Sequence, residues 1–200
     1  MRLRLTTQLG ALLLVGFLGA CDGESPTTPD PLPMGTPNAM ALDNLALVRQ
    51  LERRDRTQTL FTRVASFAVN PSGRIGSGSG WSYEFTDLAV ERLYFWTVFS
   101  DGRIDPPEGP TPPFGPPVTN VDIESMLKIN SDRAIAIAMR HGAEEYVKNH
   151  EGALVTVMYQ IEYGLPVCHM KFWWSGDYCQ WQYWVHATNG DFMAKEEPCS

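Results

Sequence analysis

The residues whose types most readily bind metals or move protons are four histidines, His141, His150, His169 and His186, four cysteines, Cys21, Cys168, Cys179 and Cys199, and scattered carboxylates. None of the histidines stands in a His-Glu-x-x-His pattern and no cysteines stand in Cys-x-x-Cys, the spacings that let one element offer two ligands to a metal. His141 and Glu145 share a helical face only if a helix runs through Gly142. Cys168 and His169 are adjacent, which on a strand sends their side chains to opposite faces. The run Gly76-Ser77-Gly78-Ser79-Gly80 has glycines that let backbone N–H groups approach a phosphate. It lacks the Lys-Ser/Thr ending and a following helix, so it reads as a hairpin loop. The expectation is a protein that is not an enzyme, with no catalytic residue, no metal ligands and no cofactor.

The elements that carry these residues are clearest from Asn130 to Phe192. Asn130 and Ser131 are N-cap types and Asp132 suits the helix dipole. Ala134, Ile135, Ala138 and Met139 recur at the spacing of a buried helical stripe, Gly142 fits a left-handed cap, and Ala143 to Asn149 continues as a short polar helix. From Leu154 the period becomes two, with Val155, Val157, Tyr159, Ile161 and Tyr163 on one face. A second strand places Cys168, Met170, Phe172 and Trp174 opposite Val167, His169, Lys171 and Trp173. A third places Cys179, Trp181, Tyr183, Val185 and Ala187 together, and Asn189-Gly190 is a type I′ turn pair.

The N-terminus reads as a targeting segment. Arg2 and Arg4 precede an apolar run, Leu9 to Phe17, too short to span a bilayer, and Leu18-Gly19-Ala20-Cys21 has a small-residue cleavage pattern. This resembles the lipobox of bacterial lipoproteins. The resemblance implies a signal peptide over 1–20, a lipid on Cys21 and a location on the exported side of an envelope membrane, inner or outer. Loss of two arginines takes the formal charge from −7 to −9. So acidic a chain is expected to bind no nucleic acid, because phosphates demand a basic patch. Residues 21–37, rich in Pro, Thr, Ser, Gly and Asp, read as a disordered tether.

Between tether and second half lies a region of similar plan. Asn38 to Arg56 reads as a helix with Leu42, Leu45, Val48 and Leu51 as its stripe. Leu60 to Asn70 reads as a strand with Phe61, Ala65, Phe67 and Val69 on one side. Trp81, Tyr83 and Phe85 alternate, Arg92 to Phe99 is apolar, and Asp101-Gly102 is another type I′ signal. The Pro- and Gly-rich stretch 105–120 reads as a linker between a first α+β unit, 38–104, and a second, 121–200. Matching Gly102 with Gly190 also matches Trp96 with Trp184, as an internal repeat would.

Ser131-Asp132-Arg133-Ala134-Ile135-Ala136-Ile137-Ala138, followed by strands and by Trp184 to Gly190, resembles the PepSY domain over roughly 129–193, and more loosely over 39–104. The resemblance implies an α+β fold of two tandem helix-plus-antiparallel-sheet units, cystatin-like in outline. It also implies binding, or restraint of a secreted peptidase, by an envelope protein. The chain departs from the family pattern in its insertion from Ala143 to Gly152 and in its tryptophan content.

Export permits disulfides. With Cys21 lipidated, an odd three cysteines remain. Turning the chain at Ser175 separates Cys168 from Cys179 along the sheet, whereas turning at Asn189-Gly190 brings Cys199 opposite Cys179 or Gln180, so Cys179–Cys199 is the expected pair and Cys168 a buried free thiol. Met170, Phe172, Trp174, Trp181, Tyr183 and Val185 are assigned to the core. The opposite face holds His169, Lys171, Trp173, Tyr178 and Trp184, with Gln180, Gln182 and His186. Aromatics mixed with amides and a cation make either a binding surface or a face packed against the first unit near Trp96. The expected function is non-catalytic binding of an envelope or secreted protein. The alternative is a structural lipoprotein without a discrete ligand.

Overall fold

The protein is described from a computed structural model over residues 31–112, 121–175 and 177–197, without the side chains of residues 177 and 178. The chain runs α1 (Leu45–Asp55), β1 (Thr59–Val69), β2 (Gly80–Asp87), β3 (Arg92–Phe99), β4 (Ile104–Asp105), a 3₁₀ turn at Glu124–Met126, α2 (Ser131–Ala138), α3 (Glu144–Asn149), β5 (Leu154–Glu162), β6 (Leu165–Trp174), β7 (Asp177–His186) and β8 (Phe192–Glu196). The strands form one sheet in the order β4-β3-β2-β1-β5-β6-β7-β8, antiparallel at every pairing. The fold is therefore mixed α+β.

Each half is a helical segment, α1 in the first and α2 with α3 in the second, followed by a four-stranded meander, and the meanders join where β1 pairs with β5, from Val64 opposite Tyr159 to Val69 opposite Val155. The two expected sheets are one. The first strand of each meander would otherwise present a row of unpaired N–H and C=O groups, and pairing the two removes both edges. At the outer edge of β3, Leu93 and Thr111 exchange two backbone hydrogen bonds of 2.9 Å, so the proline-rich run after β4 follows that edge. Residues 113–120 of the expected linker lie outside the described residues.

The helices lie on one face. Val48 and Leu51 of α1, Ala134, Ile135 and Ala138 of α2, and Tyr146 of α3 join Phe61, Trp81, Tyr83, Trp96, Tyr159, Met170, Phe172 and Tyr183 in a single core. At about 25 cal/mol per Å² of apolar surface removed from water, this burial is the main source of stability.

Three local expectations are corrected by particular contacts. First, α1 begins at Leu45, not Asn38, because the preceding backbone is bonded elsewhere. The Ala39 and Ala41 carbonyls accept from Trp81 Nε1 at 2.9 Å and the Tyr83 hydroxyl at 3.1 Å, and the Ala41 N–H donates to Ser131 Oγ at 3.1 Å. Second, bulges in β1 between Phe61 and Arg63 and between Ser66 and Val69 switch its faces. An extra residue inverts the alternation. Phe61, Val64 and Val69 are buried, while Phe67 is 74% exposed on the other side. Third, Asp101-Gly102 and Asn189-Gly190 are not type I′ pairs, since only the glycines have positive φ. Around Asn189, Gly190 N–H donates to His186 O at 2.9 Å and His186 N–H to Asp191 O at 2.8 Å, closing a four-residue loop. Both central residues are left-handed instead at Tyr163 (φ 52°) and Gly164 (φ 79°), the two-residue link from β5 to β6.

At the start of α2, Asn130 Oδ1 accepts from Ser131 N–H at 2.9 Å, the cap the sequence implies. Ser131 Oγ donates to Gly73 O at 2.6 Å. A side chain at Gly73 (φ +86°) would place its Cβ 2.3 Å from the Asp132 nitrogen, so the β1–β2 loop reaches the helix only as glycine. After Ala138 the helix widens and breaks at Gly142 (φ 119°) before α3.

Candidate functional site

Period-two alternation and the β6–β7 register build a second, polar-aromatic face. Cys168, Met170 and Phe172 point into the helix-covered core, so His169, Lys171 and Trp173 project from the other side. The register sets His169 opposite Trp184 and Lys171 opposite Gln182. On β5, Thr156, Met158, Gln160 and Glu162 alternate with buried Val155, Val157 and Tyr159, and share that side. Among the described residues no helix packs on this face, whose side chains are mostly half-buried.

The expectation that this face packs on the first half near Trp96 is overturned. The two halves lie side by side in one sheet, and Trp96 is 1% exposed on the covered face, where its Nε1 donates to Glu52 Oε2 at 2.6 Å. Trp174, assigned to the core, is 36% exposed beside the Ser175 turn.

Glu162 is the hub of the open face. Its Oε1 accepts from Gln160 Nε2 at 2.8 Å and lies 3.3 Å from His169 Nδ1, and its Oε2 accepts from Trp184 Nε1 at 3.0 Å. The His169 ring stacks on Trp184 at 4.5 Å between centroids and 21° between planes. His169 Nε2 and Gln182 Oε1 are 3.0 Å apart, and Gln182 Nε2 donates to Glu196 Oε2 at 3.3 Å. The hydrogen bond from His169, helped by those from Gln160 and Trp184 and opposed by partial burial, holds the Glu162 carboxyl below its ordinary range. Charged acceptors make these the stronger class of hydrogen bond.

Among the described residues, hollows open on this face. A groove of about 510 Å³ lies between the β5–β6 turn and β8, bounded by Glu162, Tyr163, Val167, Trp184, Met193 and Glu196. A smaller one of about 280 Å³ lies over β1 and β2, bounded by Arg63, Phe67, Glu84, Phe95 and Met158. On the same face Trp173 is half-buried, and its Nε1 is buried with no hydrogen-bond partner among the described residues.

The structure thus brings together His169, Lys171, Trp173 and Trp184. The side chain of Tyr178, and all of Cys21 and Cys199, lie outside the described residues, and with them the lipid site and the Cys199 end of the expected Cys179–Cys199 pair. Cys168 is free and fully buried, and burial pushes its thiol up to about 12. It faces Tyr159 in the core, away from the Glu162–His169 pair, so thiol and imidazole stand on opposite sides of the sheet. Among the described residues no three His, Cys, Asp or Glu side chains gather as metal ligands would. The sequence reading missed Glu162 and Glu196 as members of the face. Their signal is the alternation itself, but only the registers of β5 on β6 and β7 on β8 bring them to Trp184.

The chain matches no protein-family model and no curated protein. Its fold is similar to the crystal structure of a "putative lipoprotein" from Clostridium difficile 630, with a TM-score of 0.52 and 9% identity over 82% of this chain and 95% of that one. At that identity the likeness is one of fold.

Proposed function

We propose that this chain is a non-catalytic envelope lipoprotein, held to a membrane through Cys21, that binds a protein partner on the open face of its sheet. The observation that carries the reading is the face itself, which holds Lys171, Trp173 and Trp184, has Trp184 at the edge of a groove, and carries no helix among the described residues. Aromatics with polar tips supply area and directed hydrogen bonds at low entropic cost, the composition of protein-binding surfaces. The lipobox-like segment, and a fold shared with a protein described as a lipoprotein, support the anchor. No helix among the described residues is long and apolar enough to cross a membrane. A secreted peptidase is the partner class that the PepSY resemblance adds.

A structural role without a ligand is the second reading. What favours it is that His169, Trp184, Gln182 and Glu162 bond mainly to one another. Crosslinked capture from envelope extract separates the two, comparing the full chain with a Lys171→Ala, Trp173→Ala, Trp184→Ala variant shown by circular dichroism to fold. A partner held by the parent and lost by the folded variant supports binding. Equal capture by both, or none by either, moves the role away from this face.

A further inference from the structure

We propose that the groove between the β5–β6 turn and β8 is a site for an organic cation, an alkylammonium or guanidinium group seated against Trp184 between the Glu162 and Glu196 carboxylates. The inference rests on the open face being a binding surface and names the chemistry it recognises.

Two of the groove's three charged residues are carboxylates. Glu162 and Glu196 both face it, and the hydrogen bonds Glu162 receives favour its ionised form. Lys195 also borders the groove but is paired with Tyr183, a core-facing residue, and its Nζ donates to Glu197 Oε1 at 3.0 Å, so its charge is spent toward the helices. Lys171, on the open face, is not among the bordering residues. Glu196 is exposed and its one hydrogen bond among the described residues comes from the neutral Gln182 amide, at a long 3.3 Å. It therefore has charge left to offer.

The indole is positioned for the same ligand. Tryptophan is the best aromatic partner for a cation. Trp184 is fixed on one ring face by His169 and at its nitrogen by Glu162, and it borders the groove. Met193, Val167 and the 98%-exposed Tyr163 add apolar surface for the alkyl stem that carries the charge. An anion would meet two carboxylates here, and an uncharged apolar group would strand them. The formal charge of −7 draws cations toward the molecule at long range.

The cation can belong to a Lys or Arg side chain of a polypeptide or to a free polyamine, and the test has an arm for each. The full chain is titrated by calorimetry with a capped Gly-Lys-Gly-Arg-Gly peptide, with its Nε-acetyl-lysine, citrulline counterpart, and with spermidine. In parallel, the Trp184 Nε1 resonance, assigned from Trp184→Phe, is followed by NMR. The expected result is binding of the peptide, of spermidine or of both, a shift of that resonance, and loss of binding on neutralising the peptide. Glu196→Gln, an exposed change that leaves the fold intact, should weaken binding about threefold, and Trp184→Leu about tenfold. Raising NaCl from 50 to 500 mM should weaken it further. Equal binding of the neutral peptide, or no shift at Trp184 with either cation, overturns the site. If the site fails while the open-face variant still loses its partner, the cation reading alone is wrong; if partner capture is also unchanged, the binding face falls with it.

Discussion

The two faces of this sheet use the same residue types for different ends. On the covered face, Trp81 and Tyr83 bond to the Ala39 and Ala41 carbonyls and Trp96 to Glu52, and all three rings are at most 1% exposed. Their polar tips fix the entry to α1 and satisfy buried groups that would cost about 1–3 kcal/mol each if left bare. On the open face, Trp184 bonds to a titratable carboxylate, His169 stacks on it, and the Trp173 nitrogen has no partner among the described residues. An aromatic residue is thus structural or available according to what its polar end touches and what lies over its ring.

That contrast is most sharply broken by changing the covered face. Trp96→Ala removes a fully buried indole and one donor to Glu52, whose side chain is otherwise held by two hydrogen bonds from Arg56. Chemical denaturation should show a loss of about 3–5 kcal/mol. Gly73→Ala adds a Cβ against the backbone of α2 at a positive φ, and the same measurement should show a loss of about 2–3 kcal/mol. On the open face, Trp184→Leu should cost only about 1–2 kcal/mol and Lys171→Ala less than about 0.5 kcal/mol, with the effect falling on binding instead.

Much of the covered face was legible in the sequence, because burial against helices enforces strict alternation. Period two alone assigns Met170, Phe172, Tyr183 and Val185 to the core. Repeat alignment failed where loop length mattered. Matching Gly102 with Gly190 equates Trp96 with Trp184, yet one lies in the core and the other on the open face. The loop Ser100 to Gly102 is a residue shorter than the loop Ala187 to Gly190, and one residue of slip exchanges the faces. The bulges of β1 hid Phe67 for the same reason. The joining of two meanders into one sheet was not legible, since no local signal distinguishes a strand that ends a sheet from one that meets its counterpart.

Smaller effects sharpen the comparison further. Cys168, buried with its thiol raised to about 12, should resist iodoacetamide at pH 8 until guanidinium unfolds the chain, as read by mass spectrometry. In the same experiment without reductant, a peptide joining Cys179 to Cys199 is expected, the pairing that folding the chain back at Asn189-Gly190 implies. Glu162 has a folded-state pKa below its unfolded value, so its stabilising contribution is complete above the unfolded value of about 4.3 and is lost as pH falls through the folded one. Glu162→Gln should therefore lower the neutral plateau of the stability profile and flatten its acid limb, the two profiles converging at low pH.

The most direct measurement is site-specific photo-crosslinking in the native envelope, with the photoreactive residue placed at Lys171 on the open face or at Arg133 on the exposed side of α2. The prediction is a discrete crosslinked partner from position 171, absent from position 133 and lost when Trp184→Leu is added. Crosslinks from position 133 alone, or the same set from both positions, would contradict the assignment of the open sheet face as the binding surface.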